Sequence, residues 1–183
     1  MISFDTYYSY SQLVDRLRWL AGQYAGIMRV ECLGRSHEGR EIPLVVLTSA
    51  ATGPDLEKPA FWVDGNIHAT ELTASIAALG FVKKLVEGYG TDPKATRVLD
   101  ETAVYVVPRL NPDGAELALA DRPRFVRSGT RPYPFPDRRD GLHQEDIDGD
   151  GRVLQMRIPD PTGDWKVSAR DPRLMVKRQP DEE

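Results

Sequence analysis

Two side chains with metal-binding chemistry, His68 and Glu71, lie three residues apart in segment 61–71, Phe-Trp-Val-Asp-Gly-Asn-Ile-His-Ala-Thr-Glu. The apolar run 61–63 is typical of a buried strand, and a helical pattern begins after Glu71. Side chains three apart in a turn or first helical turn can converge on one point. A catalytic zinc usually takes three protein ligands, His nitrogen and Glu oxygen among them, and keeps one open position. The segment therefore predicts two ligands of a zinc site.

The same spacing has a second interpretation, because His-x-x-Glu arises by chance in many proteins. A surface His68 followed by a Glu71 that the helix dipole stabilises would look identical. The position after a strand favours the metal site, since ligands of open α/β sheets bind at the carboxyl ends of strands. The other two histidines are His37 and His143. We expect His37 to be exposed in a hairpin turn and His143 to lie in a polar loop, outside the zinc site.

A second candidate metal site is the acidic segment 146–151, Asp-Ile-Asp-Gly-Asp-Gly. It matches the opening of a calcium loop, which places oxygen ligands at positions 1, 3 and 5, glycine at 6 and a backbone carbonyl at 7. Position 12, where a bidentate Glu is expected, holds Arg157, so an EF-hand is not predicted. An acidic turn without a metal is the alternative. The candidate calcium ligands are Asp146, Asp148, Asp150 and the carbonyl of Arg152.

Composition excludes several classes of protein. The chain has 183 residues, of which 40% are hydrophobic and 28% charged, a balance typical of a globular domain. A net charge of −4 without a basic patch argues against nucleic acid as a partner. No apolar run reaches the roughly 18 residues of a membrane helix, and no signal peptide is visible. We therefore expect no membrane partner and, by default, a cytoplasmic location.

Periodicity predicts an α/β fold with a mixed sheet flanked by helices. Leucines at helical spacing follow a Ser-x-x-Gln capping box at Ser9, and a second apolar stripe follows Glu71. Pro, Gly and charge dominate 121–165, which predicts a long irregular insertion within a single domain over 1–183. The predicted helices cover 10–24, 72–86, 93–99 and 112–120, and the predicted strands cover 27–33, 42–48, 61–64 and 103–107.

Four features, in order, resemble the N-terminal half of the zinc carboxypeptidases of the carboxypeptidase A-like family. An aromatic-rich helix opens the chain. Gly-Arg-Ser-His-Glu-Gly-Arg at 34–40 resembles the family's hairpin, and Gly-Asn-Ile-His-Ala-Thr-Glu at 65–71 resembles its zinc motif. Asn-Pro-Asp-Gly at 111–114 resembles the turn after its central strand. Four features in register over about 110 residues support one another.

The resemblance implies roles for particular residues. His68 and Glu71 would ligate zinc, and the substrate would be the C-terminus of a peptide or protein. The family uses an arginine after the Asn-Pro-Asp-Gly helix to bind the scissile carbonyl. Arg127 is the best match for that catalytic and substrate-binding residue, and Arg124 is the alternative.

Other parts of the family pattern are missing from these residues. The Asn-Arg pair that holds the substrate carboxylate, the third zinc ligand and the catalytic Glu are not found. We therefore expect a truncated, inactive portion of a carboxypeptidase-like hydrolase. A zinc deacylase of N-acyl amino acids and a catalytically silent, calcium-bound binding module are the two alternatives.

Overall fold

A computed structural model describes residues 2–124, 126–131 and 145–181 of the chain. The chain divides into two compact units, Met1–Gln144 and Glu145–Glu183. The first unit contains helices α1–α4 and strands β1–β4, and the second contains strands β5 and β6. The single domain over 1–183 stays a prediction. Within the described ranges, none of the helices combines the length and the apolar character needed to cross a membrane.

Helix α1 spans Tyr10–Gln23 and begins at the capping box predicted from sequence. The Ser9 hydroxyl accepts a hydrogen bond from the Gln12 amide, and the Gln12 side chain accepts one from the Ser9 amide. This reciprocal pair satisfies two amides that a helix leaves without internal partners. Leu13, Leu17 and Leu20 lie on one face of the helix and are fully buried.

The first unit contains a four-stranded sheet in the order β1-β2-β4-β3. Strands β1 and β2 pair antiparallel, as do β2 and β4, whereas β3 and β4 pair parallel. The sheet is therefore mixed, as predicted. The strands are β1 (Met28–Arg35), β2 (Glu41–Leu47), β3 (Ala60–Asp64) and β4 (Ala103–Val107).

Strand β3 corrects the prediction of a buried strand over 61–63. Phe61 and Trp62 are 55% and 49% exposed, although they point to opposite faces of the sheet. The reason is position: β3 stands at the end of the strand order and pairs only with β4 among the described strands. The apolar run of β4 lies between two strands and is buried along almost its whole length, as predicted.

Three further α-helices follow among the described residues of the first unit: α2 (Leu72–Gly88), α3 (Pro93–Glu101) and α4 (Pro112–Leu119). The apolar stripes of α2 and α3 bury Leu79, Val82 and Leu99 in one core with the strands and α1. A fully buried Arg109 lies between the residues that precede α1 and helix α4. Its guanidinium donates to the Tyr8 carbonyl and lies 3.6 Å from the carboxylate of Glu116. Arg109 thus bridges the segment that precedes α1 and the middle of α4, the helix whose first residues border the candidate site.

The second unit contains one antiparallel hairpin, formed by β5 (Trp165–Val167) and β6 (Met175–Lys177). Its strands are three residues long and exposed, and the sequence did not predict them. Among the described residues of 121–164, no helix or strand forms.

Candidate metal centre

The candidate site lies where the parallel strands β3 and β4 end. Asp64 pairs with Val107 in the last register position, so both strands reach the same edge of the sheet. The loops that follow are joined by backbone hydrogen bonds. The Gly65 amide donates to the Val107 carbonyl, and the Leu110 amide donates to the Gly65 carbonyl. The two sequence motifs, at 65–71 and 111–114, therefore meet at one edge.

The loop before His68 is tightly held. Asn66 has a φ of 57°, a left-handed conformation that Asn tolerates better than most residues, and it is buried. Its side-chain amide donates to the carbonyls of His68 and Ala69 at 2.8 and 3.1 Å. Gly65 has no room for a side chain, because a Cβ there would lie 2.7 Å from the Ala74 carbonyl oxygen. These contacts fix the backbone from which His68 projects.

His68 and Glu71 converge at the end of this loop. His68 Nδ1 lies 2.9 and 3.0 Å from the two carboxylate oxygens of Glu71. Nitrogen and oxygen ligands of one tetrahedral zinc, at bonds of about 2.0–2.1 Å, lie about 3.3 Å apart. A small separation of the two groups would admit the ion, and both side chains are partly exposed. The donor atoms therefore fit zinc.

Glu71 occupies the N-cap position of α2, but its side chain accepts no capping hydrogen bond. Its carboxylate faces His68 instead. A Glu71 stabilised by the helix dipole alone, which is the alternative interpretation, would not require its carboxylate to contact His68.

Asn111 and Asp113 support the site from the start of α4. Asn111 caps the helix by accepting from the Gly114 amide, and its own side-chain amide donates to the carbonyls of Ile67 and Ser128. Gly114 packs directly on the His68 loop, since a Cβ there would lie 2.5 Å from Ala69 Cβ. The start of α4 is therefore in direct contact with the loop that carries His68.

Asp113 ties the hairpin between β1 and β2 to α4. Its buried carboxylate accepts from the Ser36 hydroxyl at 2.8 Å, the Glu38 amide at 2.9 Å and the Arg40 guanidinium at 2.7 Å. Burial acts to raise the pKa of Asp113, but these three donors outweigh it and hold the pKa below its usual value. The sequence motifs at 34–40 and 111–114 carried the signal for this network, although sequence alone gave its members no role.

Arg127 and Arg124 lie after α4. The Arg127 carbonyl accepts from the Ala69 amide at 3.0 Å, so its backbone lies beside the residue that follows His68. Its exposed guanidinium makes no hydrogen bond or ion pair within the part of the chain that the structure describes. The Arg124 amide donates to the Leu117 carbonyl, which places Arg124 at the end of α4. Of the two, Arg127 is the one whose backbone contacts the His68 loop.

A cleft of about 380 Å³ opens beside His68. Its walls are mostly apolar, and they include the exposed His37 of the hairpin turn. The other lining residues are Ser36, Ile42, Ile67, Leu110, Asn111, Pro112, Asp113, Ser128 and Gly129.

Over the described ranges 2–124, 126–131 and 145–181, no third histidine, cysteine or carboxylate joins His68 and Glu71. His143 lies outside the described residues, as does Phe125. His37 shares the cleft with His68 but is not grouped with the pair.

The acidic segment of the second unit brings its three carboxylates together. Ligand oxygens of Asp146, Asp148 and Asp150 lie within 4.8 Å of one another, and all three residues are exposed. The Asp146 carboxylate accepts from the amides of Gly149 and Gly151, and Asp150 accepts from the Arg152 amide. These bonds curl the loop around the acidic groups.

Comparison with known proteins identifies the family to which this chain belongs. A family model described as zinc carboxypeptidase matches residues 13–137, a stretch that includes His68, Glu71 and Arg127. The chain belongs to the zinc carboxypeptidase family, a family of metalloprotease hydrolases, as its motifs predicted.

The curated relatives are named carboxypeptidases. The chain is 32% identical over 112 residues to carboxypeptidase A1 of Bos taurus, a match covering 61% of this chain and 26% of that protein. It is 31% identical over 129 residues to carboxypeptidase A1 of Sus scrofa, covering 70% and 30%. The chain therefore spans less than a third of the length of these two relatives.

Solved structures show the same fold. Carboxypeptidase A from Helicoverpa armigera matches with a TM-score of 0.58 and 26% identity, over 65% of this chain and 28% of that chain. A putative carboxypeptidase from Burkholderia mallei matches with a TM-score of 0.51 and 34% identity, over 59% and 27%.

Proposed function

We propose that this chain carries the His-x-x-Glu half of the zinc site of a carboxypeptidase, with His68 and Glu71 as ligands. The observation that carries the proposal is the approach of His68 Nδ1 to both Glu71 oxygens at the shared end of β3 and β4. Family membership adds that zinc is the ion to expect. It also favours a peptidase over a deacylase.

When bound, zinc would supply a Lewis acid that polarises the scissile carbonyl and activates a water molecule. The chain's own residues would hold the ion and bind the substrate. Arg127 would direct a cation at the carbonyl oxygen as negative charge develops on it, a contribution typically worth several kcal/mol. Its lack of a partner among the described residues and its backbone contact with Ala69 support this role. Arg124 is the alternative cation.

The proposed substrate is the C-terminal residue of a peptide or protein. The described residues provide two ligands, whereas a catalytic zinc usually has three. Because the chain also spans less than a third of the length of its two relatives, we propose that its 183 residues do not hydrolyse peptides by themselves, and that a protein extending them to the relatives' length would. Zinc-dependent release of C-terminal residues by the 183-residue chain would contradict the first statement. Failure of such an extended protein to release C-terminal residues, or equal release from free and amidated C-termini, would contradict the second.

Zinc titration of the 183-residue chain, followed by NMR of the histidine rings, tests the ligands directly. We expect zinc to shift the ring signals of His68 and to leave those of His37 unchanged. Glu71→Gln keeps the size of the side chain and removes its charge, so it should weaken zinc binding at least about tenfold.

His37→Ala is the matched control, because His37 lies on the same cleft outside the ligand pair. Equal shifts of His37 and His68, or zinc binding unaffected by Glu71→Gln, would refute the assignment.

For the second unit we propose that calcium binds the acidic loop through Asp146, Asp148, Asp150 and the Arg152 carbonyl. The convergence of the three carboxylates supports this proposal. Like charges so close together favour a bound cation. The role of the ion would be to order the loop rather than to take part in chemistry.

A further inference from the structure

The side chain of Asn111 connects three segments that border the candidate zinc site. Its Oδ1 accepts from the Gly114 amide at 3.0 Å and caps α4. Its Nδ2 donates to the Ser128 carbonyl at 2.7 Å and to the Ile67 carbonyl at 3.3 Å. One residue therefore contacts the helix, the loop before His68 and the segment after Arg127.

Only a side-chain amide can make this set of bonds. The cap requires an acceptor, and the two carbonyls require two donors. An amide carries one acceptor oxygen and an NH₂ with two hydrogens. The cap also fixes the orientation of the Asn111 side chain, because its oxygen must face the backbone N–H of Gly114. A carboxylate would cap the helix equally well but would have no hydrogen to donate.

The backbone extends the same connection. The Asn111 amide donates to the Asn66 carbonyl, and the Ala69 amide donates to the Arg127 carbonyl. The His68 loop and the Arg127 segment are thus joined once directly and once through the side chain of Asn111. Removing the second link would leave the two segments held by a single hydrogen bond among these contacts.

We propose that Asn111 is a positioning residue that holds the His68 loop and the Arg127 segment in register. This inference rests on the proposed function, in which His68 binds zinc and Arg127 binds the substrate carbonyl. Both ends of the Asn111 side-chain amide are engaged by Gly114, Ile67 and Ser128, so Asn111 would not bind the ion. It acts through the backbone positions of the residues that do.

Asn111→Asp separates this role from helix capping. Asp keeps the cap, so the amide of Gly114 should exchange its hydrogen as slowly as in the wild type. The links to Ile67 and Ser128 are lost, so the amide of Ala69 should exchange about tenfold faster or more. Zinc should also bind about tenfold more weakly, because the loop that carries His68 loses the hydrogen bond at Ile67 that holds it.

Asp92→Asn is the matched control, because Asp92 caps α3 by accepting from the Lys94 amide and lies outside this set of contacts. It exchanges the same two residue types, and it should change neither Ala69 exchange nor zinc affinity. Unchanged Ala69 exchange in Asn111→Asp, or faster Ala69 exchange with unchanged zinc affinity, would overturn the proposal. Hydrogen exchange is measured without zinc. If the wild-type chain binds no zinc at all, the proposed function fails, and the exchange data still decide whether Asn111 joins the two segments.

Discussion

Replacing Asp113 by Asn should destabilise the first unit, because the Asp113 carboxylate binds three donors at once. One oxygen accepts from Ser36 and Arg40, and the other accepts from the Glu38 amide. Asn has one acceptor oxygen and places two hydrogens on the other atom. The less damaging orientation of the introduced Asn side chain keeps its oxygen towards Ser36 and Arg40. Its NH₂ group then faces the backbone amide of Glu38, so two hydrogen-bond donors point at each other.

The size of the expected loss in unfolding free energy follows from these contacts. Asp113 is only 3% exposed, so water cannot replace the lost partner. A hydrogen bond to a charged group contributes about 1.5–3 kcal/mol, and a buried amide left without a partner costs about 1–3 kcal/mol. Arg40 keeps Glu38 as a second partner, which limits the loss. We therefore expect the free energy of unfolding to fall by about 2–4 kcal/mol and Tm to fall by about 5–15 °C.

The loss of unfolding free energy in Asp113→Asn should depend on pH. Since the pKa of Asp113 is lowered by folding, its ionised form stabilises the folded state above the unfolded pKa of about 3.9. That contribution disappears as pH falls through the lower pKa of the folded state. The difference between wild type and Asp113→Asn should therefore be full at pH 7 and smaller at pH 3.

Urea unfolding of both proteins at pH 7 and pH 3 measures this difference. Asp15→Asn, an exposed substitution of the same type on α1, is the control and should change stability by less than about 0.5 kcal/mol. An Asp113→Asn effect as small as that of the control, or an effect equal at both pH values, would show that the carboxylate does not stabilise the unit through these three donors.

Two further predictions concern the His68 loop and the acidic loop. Gly114→Ala should cost about 1–3 kcal/mol of unfolding free energy in thermal melts, because the added methyl would lie 2.5 Å from Ala69 Cβ; a variant as stable as the wild type would show that α4 can move away freely. Calcium should slow limited proteolysis within 145–165, since binding only the ordered loop stabilises it, and Asp148→Ala should remove the effect; equal cleavage rates with and without calcium would show that calcium does not order the loop.

Much of the first unit could be predicted from sequence because its signals are local. The capping box at Ser9 requires only residues three apart, and helix α1 begins where it predicts. The apolar run of β4 is long enough to indicate a strand buried on both faces. The pairing of His68 with Glu71 also depends on short spacing, so the sequence indicated the two side chains that converge.

The exposure of β3 and the partners of Glu71 and Asp113 depend on tertiary structure and not on local sequence spacing. The run 61–63 is as apolar as β4, yet β3 is exposed because it stands at the end of the strand order. The sequence left open whether Glu71 faces His68 or is only stabilised by the helix dipole, and the folded loop shows that its carboxylate contacts the His68 ring. Asp113 meets donors that lie 73 to 77 residues away in sequence. Such contacts depend on which loops the sheet brings to one edge, and that order follows from the packing of the whole unit rather than from any single segment.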